Sequence, residues 1–176
     1  MNKWQADYKR MSGLTWNWIE GAIRLLFRPH LRFCFYGRIA SGCKVKTTAI
    51  LFNIAKRQLG QKYGLEIEFT NIGEGINLIH PFNITVNAGS VIGKNATLFK
   101  GCTIGSIRSG KRAGVPTIGD NVTICTNAFV CGGIRIGNNV LIAANAFINF
   151  DVPDNSIVIG NPAIIRYKEN PSQDYL

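Results

Sequence analysis

The stretch from Ile118 to Pro153 reads IGDNVT-ICTNAF-VCGGIR-IGNNVL-IAANAF-INFDVP, which is six consecutive blocks of six residues. Each block opens on an aliphatic residue that is followed by a small or polar one. The aliphatic residues form a ladder of Ile118, Ile124, Val130, Ile136, Ile142 and Ile148. A second apolar residue stands two places before each later member of this ladder, as Val122 and Val140 do.

A repeat of this length fits neither an α-helix nor an alternating β-hairpin. It fits a chain that turns a corner after each block, with one aliphatic side chain per face pointing inward. Three faces make one triangular coil, and stacked coils bury a continuous core. Asparagine tolerates left-handed backbone, so the tight corners are expected at Asn121, Asn127, Asn139 and Asn145. The pattern therefore predicts a mainly β protein, a parallel β-helix.

The same ladder continues towards the N-terminus and is interrupted twice. Its upstream members are Ile72, Leu78, Val86, Ile92, Leu98 and Ile104. Between Ile104 and Ile118 the chain has eight residues more than one face needs, and between Leu78 and Val86 it has two more, near His80. Excursions from a regular coil often carry function, so both interruptions are candidate site segments.

The residues before Tyr63 follow a different pattern, which is typical of helices. Trp16, Ile19, Ile23, Leu26 and Phe27 have helical spacing, and Pro29 is expected to end or kink that helix. A similar pattern runs through Leu31, Phe35 and Ile39, and a third helix is predicted from Ala49 to Leu59. We predict an N-terminal helical cap over residues 1–62, a β-helix over 63–160 and a short C-terminal tail over 161–176.

Composition limits the function classes without choosing among them. The chain has 176 residues, of which 46% are hydrophobic, and a net charge of +10. Such a charge attracts polyanions in general, including nucleic acid, anionic lipid and phosphate-rich ligands. The five cysteines are odd in number and form no C-x-x-C pair, so we expect neither a disulfide framework nor a metal site.

The sequence also bears on location. It contains no run of eighteen apolar residues and no apolar signal-peptide core, so we expect a cytoplasmic protein. Aromatic and cationic residues alternate between Trp16 and Arg38. This segment could make a peripheral contact with the inner face of the membrane, or pack on neighbouring helices or subunits, and we favour packing.

Four segments together resemble the serine acetyltransferase branch of the hexapeptide-repeat acyltransferases. They are GLEIEFTNIGEGINLIHPFNITVN (64–87), IGKNATLFKGCTIG (92–105), VPTIGDNVTI (115–124) and VIGNPAIIR (158–166). The resemblance covers roughly residues 60–168. It implies a left-handed β-helix, acetyl-CoA as the donor, and a homotrimer with active sites between subunits. It also implies direct transfer without an acyl-enzyme.

His80 is the candidate catalytic base. Acyl transfer to an alcohol requires loss of the hydroxyl proton, and a neutral imidazole with an ordinary pKa near ~6.5 suits that step. The segment Leu78-Ile79-His80 matches the family's L-x-H motif, whose histidine has this role. The alternative is a histidine that only satisfies a corner of the coil. His30 has no such context, and a surface or capping role is expected for it.

The resemblance also implies a coenzyme A site. Backbone donors at Gly105 and Ser106 match positions beside the thioester, and Thr126 and Ala144 match small residues that line the pantetheine groove. The full set that the resemblance assigns to the cofactor is Gly105, Ser106, Lys111, Arg112, Thr126, Ala144, Pro162, Ala163 and Arg166. The cationic members would meet phosphates, although the loop 106–115 could also be an ordinary solvated excursion.

The sequence departs from the serine acetyltransferase pattern in the acceptor pocket. Ile79 stands where the family has an aspartate, and Gly114 and Val115 stand where it has an Arg-His pair. The aspartate that orients the histidine is matched, without gaps, by Leu65, with Glu66 adjacent. Since desolvated charges need partners, Ile79 and Val115 are predicted to line a less polar pocket for a sugar or a cell-surface polysaccharide precursor.

Two alternatives remain open on the sequence. The first is a serine O-acetyltransferase of cysteine biosynthesis with an altered serine pocket. The second is a non-catalytic solenoid that acts as a scaffold or polyanion binder. The net charge of +10 permits the second. The chain shows no aromatic-basic strand pattern of an RNA-binding module, so nucleic acid is not expected as a partner.

Overall fold

The computed structural model of the protein describes residues 2–172, so the end of the predicted tail, residues 173–176, lies outside the described residues. Helices come first in the chain: α1 Lys3–Ser12, α2 Trp18–Phe27, α3 Pro29–Gly42 and α4 Lys46–Tyr63. Short strands follow: β1 Leu65–Glu66, β2 Asn77–Ile79, β3 Ile84–Val86, β4 Val91–Ile92, β5 Thr97–Phe99, β6 Thr103–Gly105, β7 Thr117–Ile118, β8 Thr123–Ile124, β9 Phe129–Cys131, β10 Arg135–Ile136, β11 Val140–Ile142, β12 Phe147–Ile148, β13 Ser156–Ile159 and β14 Ile164–Tyr167.

The strands stack into three sheets that we call faces. Face one contains β2, β5, β8, β11 and β13, face two contains β1, β3, β6, β9 and β12, and face three contains β4, β7 and β10. Pairing within these stacks is parallel, and the chain passes from face one to two to three in each coil. The first edge separates faces one and two, and the second edge separates faces two and three.

The predicted repeat is confirmed as a stack of parallel coils. Register places ladder residues above one another, as Leu98, Ile124 and Ile142 do on face one. All twelve ladder residues are between 0% and 5% exposed, which makes them the centre of the core. The left-handed sense of the coil stays a prediction.

The predicted asparagine corners are also confirmed. Asn121, Asn127, Asn139 and Asn145 have φ angles of 56°, 58°, 54° and 60°. A residue with a Cβ rarely adopts this backbone, and asparagine is the one that tolerates it best after glycine. The apolar ladder and the corner residues therefore specify the coil together.

The helical part differs from the prediction in its bounds. The helix α1 was not predicted, and α2 begins at Trp18 rather than Trp16, with Asn17 capping it. Pro29 separates two helices as expected, because it is the first residue of α3. The helix α4 runs four residues beyond the predicted end at Leu59, up to Gly64, whose φ of 66° ends it. Gly60 permits Leu65 to approach the helix closely, since a Cβ there would lie 2.5 Å from the Leu65 carbonyl oxygen.

A buried ion pair attaches the helices to the first coil. Arg38 Nε of α3 donates to Asp7 Oδ2 of α1 at 2.7 Å, and the two side chains are 3% and 1% exposed. Arg38 also donates to the Ile72 carbonyl, and Asp7 accepts from the Gly75 and Ile76 amides at 2.7 and 3.1 Å. The pair thus fixes two helices on one turn of the coil.

The helix α2 keeps apolar surface uncovered by the rest of the chain. Trp18, Ile19 and Phe27 are each 77% exposed. Membrane contact and packing on other subunits both stay predictions for this face. Within residues 2–172, no helix is long and apolar enough to span a bilayer.

The tail is more ordered than a simple extension. Residues Ile164–Tyr167 form β14, which pairs antiparallel with β13 on face one. The proposed division into cap, β-helix and tail remains a prediction about domains, since the structure gives only the elements.

Candidate active site

His80 follows β2 at the first edge, inside the two-residue interruption of the ladder. Its side chain is exposed, and its φ is 49°, in the left-handed region that few residues other than glycine adopt. The Phe82 amide donates to the His80 carbonyl at 2.8 Å, and the Gly101 amide of the next coil donates to the Phe82 carbonyl at 2.9 Å. These bonds hold the bulge in a defined shape that leaves the imidazole accessible.

Several predicted cofactor residues lie on the same edge as His80. The Lys100 amide bonds the Ile79 carbonyl at 3.1 Å, and the Asn145 amide bonds the Thr126 carbonyl at 3.0 Å, so successive corners stack. Thr126 is half-buried and Ala144 is exposed. Pro162 and Ala163 belong to the turn between β13 and β14, which leaves face one at this edge. Arg166 is exposed on β14, where it pairs with Ile157.

The other predicted cofactor residues lie on the second edge. Gly105 ends β6, and exposed Ser106 begins the long interruption. The loop 106–115 folds as a small hairpin, with Ile107 and Gly114 exchanging backbone bonds of 3.0 and 2.9 Å. Lys111 and Arg112 are exposed beside its tip at Gly110, whose φ is 88°. The Arg112 carbonyl accepts from the Gly133 amide at 2.9 Å, which anchors the hairpin to the coil.

The predicted site is therefore divided between two edges of face two. Strand β6, from Thr103 to Gly105, spans the distance between them, roughly 10 Å at about 3.3 Å per residue. The predicted acceptor residues divide in the same way. Half-buried Ile79 stands beside His80 on the first edge, whereas Gly114 and half-buried Val115 stand at the base of the hairpin on the second.

A cleft joins the two edges across face two. It lies between α4 and strands β1, β3 and β6, and its volume is about 780 Å³. Its lining runs from Gly64, which packs against Asn83 of the His80 bulge, to Gly105 and Ser106 at the second edge. His80 itself does not line it.

The sequence did not reveal that α4 forms one wall of this cleft. Lys56, Arg57, Gly60 and Gln61 all line it, a spacing that places them on one side of a helix. The Lys56 ammonium is buried and donates to Glu68 Oε1 at 2.7 Å and to the Ile67 carbonyl at 3.2 Å. The glycines at 60 and 64, near the end of a helical stretch, were the available signal of a close approach.

The thiols near the coil are unsuited to covalent catalysis. Burial raises the pKa of Cys102 to about 12 and also raises the pKa values of Cys125 and Cys131. A protonated thiol is a weak nucleophile. All five cysteines are free, and no group of three metal-ligating side chains occurs among residues 2–172. The thiols of Cys102, Cys125 and Cys131 are therefore poorly suited to act as nucleophiles.

The geometry can now be compared with known proteins. The family described as "Bacterial transferase hexapeptide (six repeats)" matches residues 116–149. Serine acetyltransferase 1, chloroplastic, of Arabidopsis thaliana is 37% identical over 142 residues, which is 78% of this chain and 45% of that protein. The chain thus spans about half the length of this curated relative.

Solved structures give the same result. Neisseria gonorrhoeae serine acetyltransferase matches with a TM-score of 0.75 and 28% identity, over 95% of this chain and 66% of that one. The structure of that enzyme in complex with serine matches with a TM-score of 0.74 and 27% identity, over 93% of this chain and 67% of that one.

These findings show a match to the bacterial transferase hexapeptide family over residues 116–149, inside the coil. The chain is also similar to serine acetyltransferases in sequence and in structure, so the resemblance that the sequence motifs predicted is confirmed.

Proposed function

We propose that the protein is an acetyl-CoA-dependent O-acetyltransferase with His80 as its general base. The observation that carries the proposal is an exposed histidine in left-handed backbone, at the L-x-H position of a serine acetyltransferase-like coil. The ladder interruption and the exposure of the side chain set His80 apart from the asparagine corners, which share its backbone for structural reasons.

In the proposed reaction, His80 takes the proton of the acceptor hydroxyl as that oxygen attacks the thioester carbonyl. Backbone N–H groups beside Gly105 and Ser106 stabilise the oxyanion of the tetrahedral intermediate. The C–S bond then breaks, and the imidazolium returns the proton to the departing thiolate. An ester and free coenzyme A result, and no acyl-enzyme forms.

The remaining predicted residues are proposed to hold the donor. Thr126 and Ala144 are small, so they leave room for the pantetheine arm at the first edge, and Pro162 and Ala163 lie near its adenine end. Lys111, Arg112 and Arg166 carry exposed cations that suit phosphate groups.

We also propose a homotrimer of left-handed coils. Because His80 and Gly105 stand on different edges, three-fold assembly would set the first edge of one copy against the second edge of the next. That arrangement would complete a site that each chain holds only in halves.

The first candidate acceptor is L-serine. The Arabidopsis and Neisseria relatives are serine acetyltransferases, and the Neisseria enzyme forms a complex with serine. This evidence favours the serine alternative over the sugar acceptor that the pocket residues suggested.

The second candidate is a sugar or polysaccharide precursor. It is favoured by Ile79, Gly114 and Val115, which offer no charge at the positions where the family is expected to hold serine. Coenzyme A release should be measured as kcat/KM for L-serine, nucleotide sugars and short oligosaccharides. If L-serine has the highest kcat/KM, the first candidate is established. If a sugar has a kcat/KM at least ~100-fold above that of L-serine, the second is established. A factor of this size corresponds to the loss of two charge-assisted hydrogen bonds. No release with any acceptor would contradict the enzyme and favour a scaffold.

His80→Ala tests the mechanism itself. Turnover should fall by about two to four orders of magnitude, the usual range for a general base, because the described part of the first edge holds no other histidine and no carboxylate to take the proton. Coenzyme A affinity, measured by calorimetry, should hardly change. His30→Gln, which replaces the only other histidine, is the matched control and should keep its activity. Near-normal turnover of His80→Ala would contradict the proposed mechanism.

A further inference from the structure

The cleft between α4 and face two has the dimensions of a small-molecule site. Its volume of about 780 Å³ lies within the roughly 300–1,000 Å³ that ligand pockets occupy. Gly60 allows the helix to approach β1 closely, since a side chain there would meet the Leu65 carbonyl at 2.5 Å. The two walls therefore approach each other closely at this point.

The charges on the α4 wall are distributed unequally. Lys56 is buried, and its ammonium is neutralised by Glu68 at 2.7 Å. Arg57, its neighbour, is exposed, and among the described residues it has neither an ion pair nor a side-chain hydrogen bond. Gln61 lies one turn further along the same side of the helix and also lines the cleft. The wall therefore presents one unpaired guanidinium and one amide.

The position of Arg57 along the cleft follows from the anchoring of Lys56. The Lys56 ammonium bonds Ile67 and Glu68, which lie beyond β1 in the direction of the second edge. Arg57 is therefore near the end of the cleft that holds Gly105 and Ser106, whereas Glu66 belongs to β1 itself. Uncharged Thr85 and Asn87 line the opposite wall.

We propose that this cleft receives the acceptor and that Arg57 selects an acceptor carrying an anionic oxygen group, a carboxylate or a phosphate. This inference rests on the proposed function, which places the thioester beside Gly105 and Ser106. A guanidinium pairs with either group through two parallel N–H bonds. Arg57 thereby supplies from α4 the positive charge that Gly114 and Val115 do not supply from the hairpin.

The test is a kinetic comparison of matched acceptors in Arg57→Gln. L-Serine is compared with L-serinamide, which lacks the carboxylate, and UDP-N-acetylglucosamine with N-acetylglucosamine, which lacks the uridine diphosphate. We expect KM for the anionic acceptor that the wild type uses to rise about 10- to 100-fold, the scale of a charge-assisted bond, with kcat changed by less than about 3-fold. KM values for its uncharged counterpart and for acetyl-CoA should not move.

Two further variants isolate the cause. Lys62→Gln removes an equal charge from the same helix, but Lys62 does not line the cleft, so its KM values should match the wild type. Arg57→Lys keeps the positive charge but loses the planar guanidinium. Its KM for the anionic acceptor should therefore lie between those of the wild type and Arg57→Gln. The serine and nucleotide-sugar arms decide whether the selected anion is a carboxylate or a phosphate.

Several results would overturn the proposal. They are an equal rise in KM for anionic and uncharged acceptors, a rise confined to acetyl-CoA, a fall in kcat with every acceptor, and a change in oligomeric mass by light scattering with KM unchanged. Failure of the proposed function would look different, because the wild type itself would then release no coenzyme A with any of the four acceptors.

Discussion

The coil and the helical cap are held together by different kinds of interaction. In the coil, ladder residues no more than 5% exposed repeat along three faces, and each contributes a similar amount of apolar burial. In the cap, a buried polar cluster around Asp7 and Arg38 joins α1 and α3 to the first coil, beside apolar packing such as that of Phe33 on Phe69. The coil can therefore lose one side chain and keep its pattern, whereas the polar attachment of the cap is concentrated in a few atoms.

The cluster also has an electrostatic cost that the coil does not have. Burial raises the pKa of Asp7, while the hydrogen bond and the charge of Arg38 and the amides of Gly75 and Ile76 act to lower it. Arg10 of the same helix adds bonds to the Gly75 carbonyl at 2.8 Å and to Thr97 Oγ1 at 3.1 Å. A buried pair of this kind adds little net stability, yet removing one partner is expensive because the other charge is left uncompensated.

The largest effect is therefore expected at Arg38. Arg38→Met should lower the free energy of unfolding by about 3–5 kcal/mol, because Asp7 is left as an unpaired buried carboxylate. Urea denaturation followed by circular dichroism measures this.

The companion variant separates charge from packing. Asp7→Asn combined with Arg38→Met keeps an oxygen for the Gly75 and Ile76 amides but removes the orphaned charge. It should recover at least about 1 kcal/mol of the loss, the scale of a satisfied hydrogen bond. If Arg38→Met alone costs less than that, the cap does not depend on the pair.

A smaller effect is expected at a corner of the coil. Asn127 has a φ of 58°, so Asn127→Ala should cost about 1–2 kcal/mol, the penalty of left-handed backbone for an ordinary residue. Asn127→Gly, which adopts this backbone freely, should cost less than Asn127→Ala in the same urea experiment. Equal losses for the two substitutions would show that the asparagine side chain, rather than the backbone, stabilises the corner.

The same contrast explains which parts of the fold could be predicted. The ladder and its asparagine corners depend on residues six apart, so the coil was visible in the sequence. The cluster depends on Asp7 and Arg38, which are 31 residues apart in the chain and belong to no repeat. The helix α1, KWQADYKRMS, has few apolar residues of its own, so its place is decided by that distant partner.

The site was predictable to a similar extent. His80 could be found because it stands in a local motif and in an interruption of the ladder. The cleft could not, because it needs α4 to lie across face two, which depends on long-range packing such as that of Gly60 on Leu65 and on the Lys56–Glu68 pair. The division of the predicted residues between two edges likewise follows from strand register, which a motif comparison does not show.

The smallest effect is expected where the cap and coil meet near the site. Half-buried His30, the second residue of α3, lines a cavity of about 130 Å³ with Tyr63 of α4 and with Pro81 and Phe82 of the His80 bulge. Burial, and secondarily the charge of Arg28, lowers the pKa of His30 from its ordinary value of 6.5.

The sign of the resulting pH dependence follows from this shift. Above pH 6.5 His30 is neutral in both states, so its contribution to stability is fully present. As the pH falls through the lowered pKa, the unfolded chain binds a proton more readily than the folded one, and that contribution is lost. The free energy of unfolding should therefore decrease between pH 7.5 and 5.5, by less than either substitution described above. His30→Gln should reduce the change of the unfolding free energy with pH, while His80 is present in both proteins. If the pH dependence is the same in the variant and the wild type, His30 does not contribute to it.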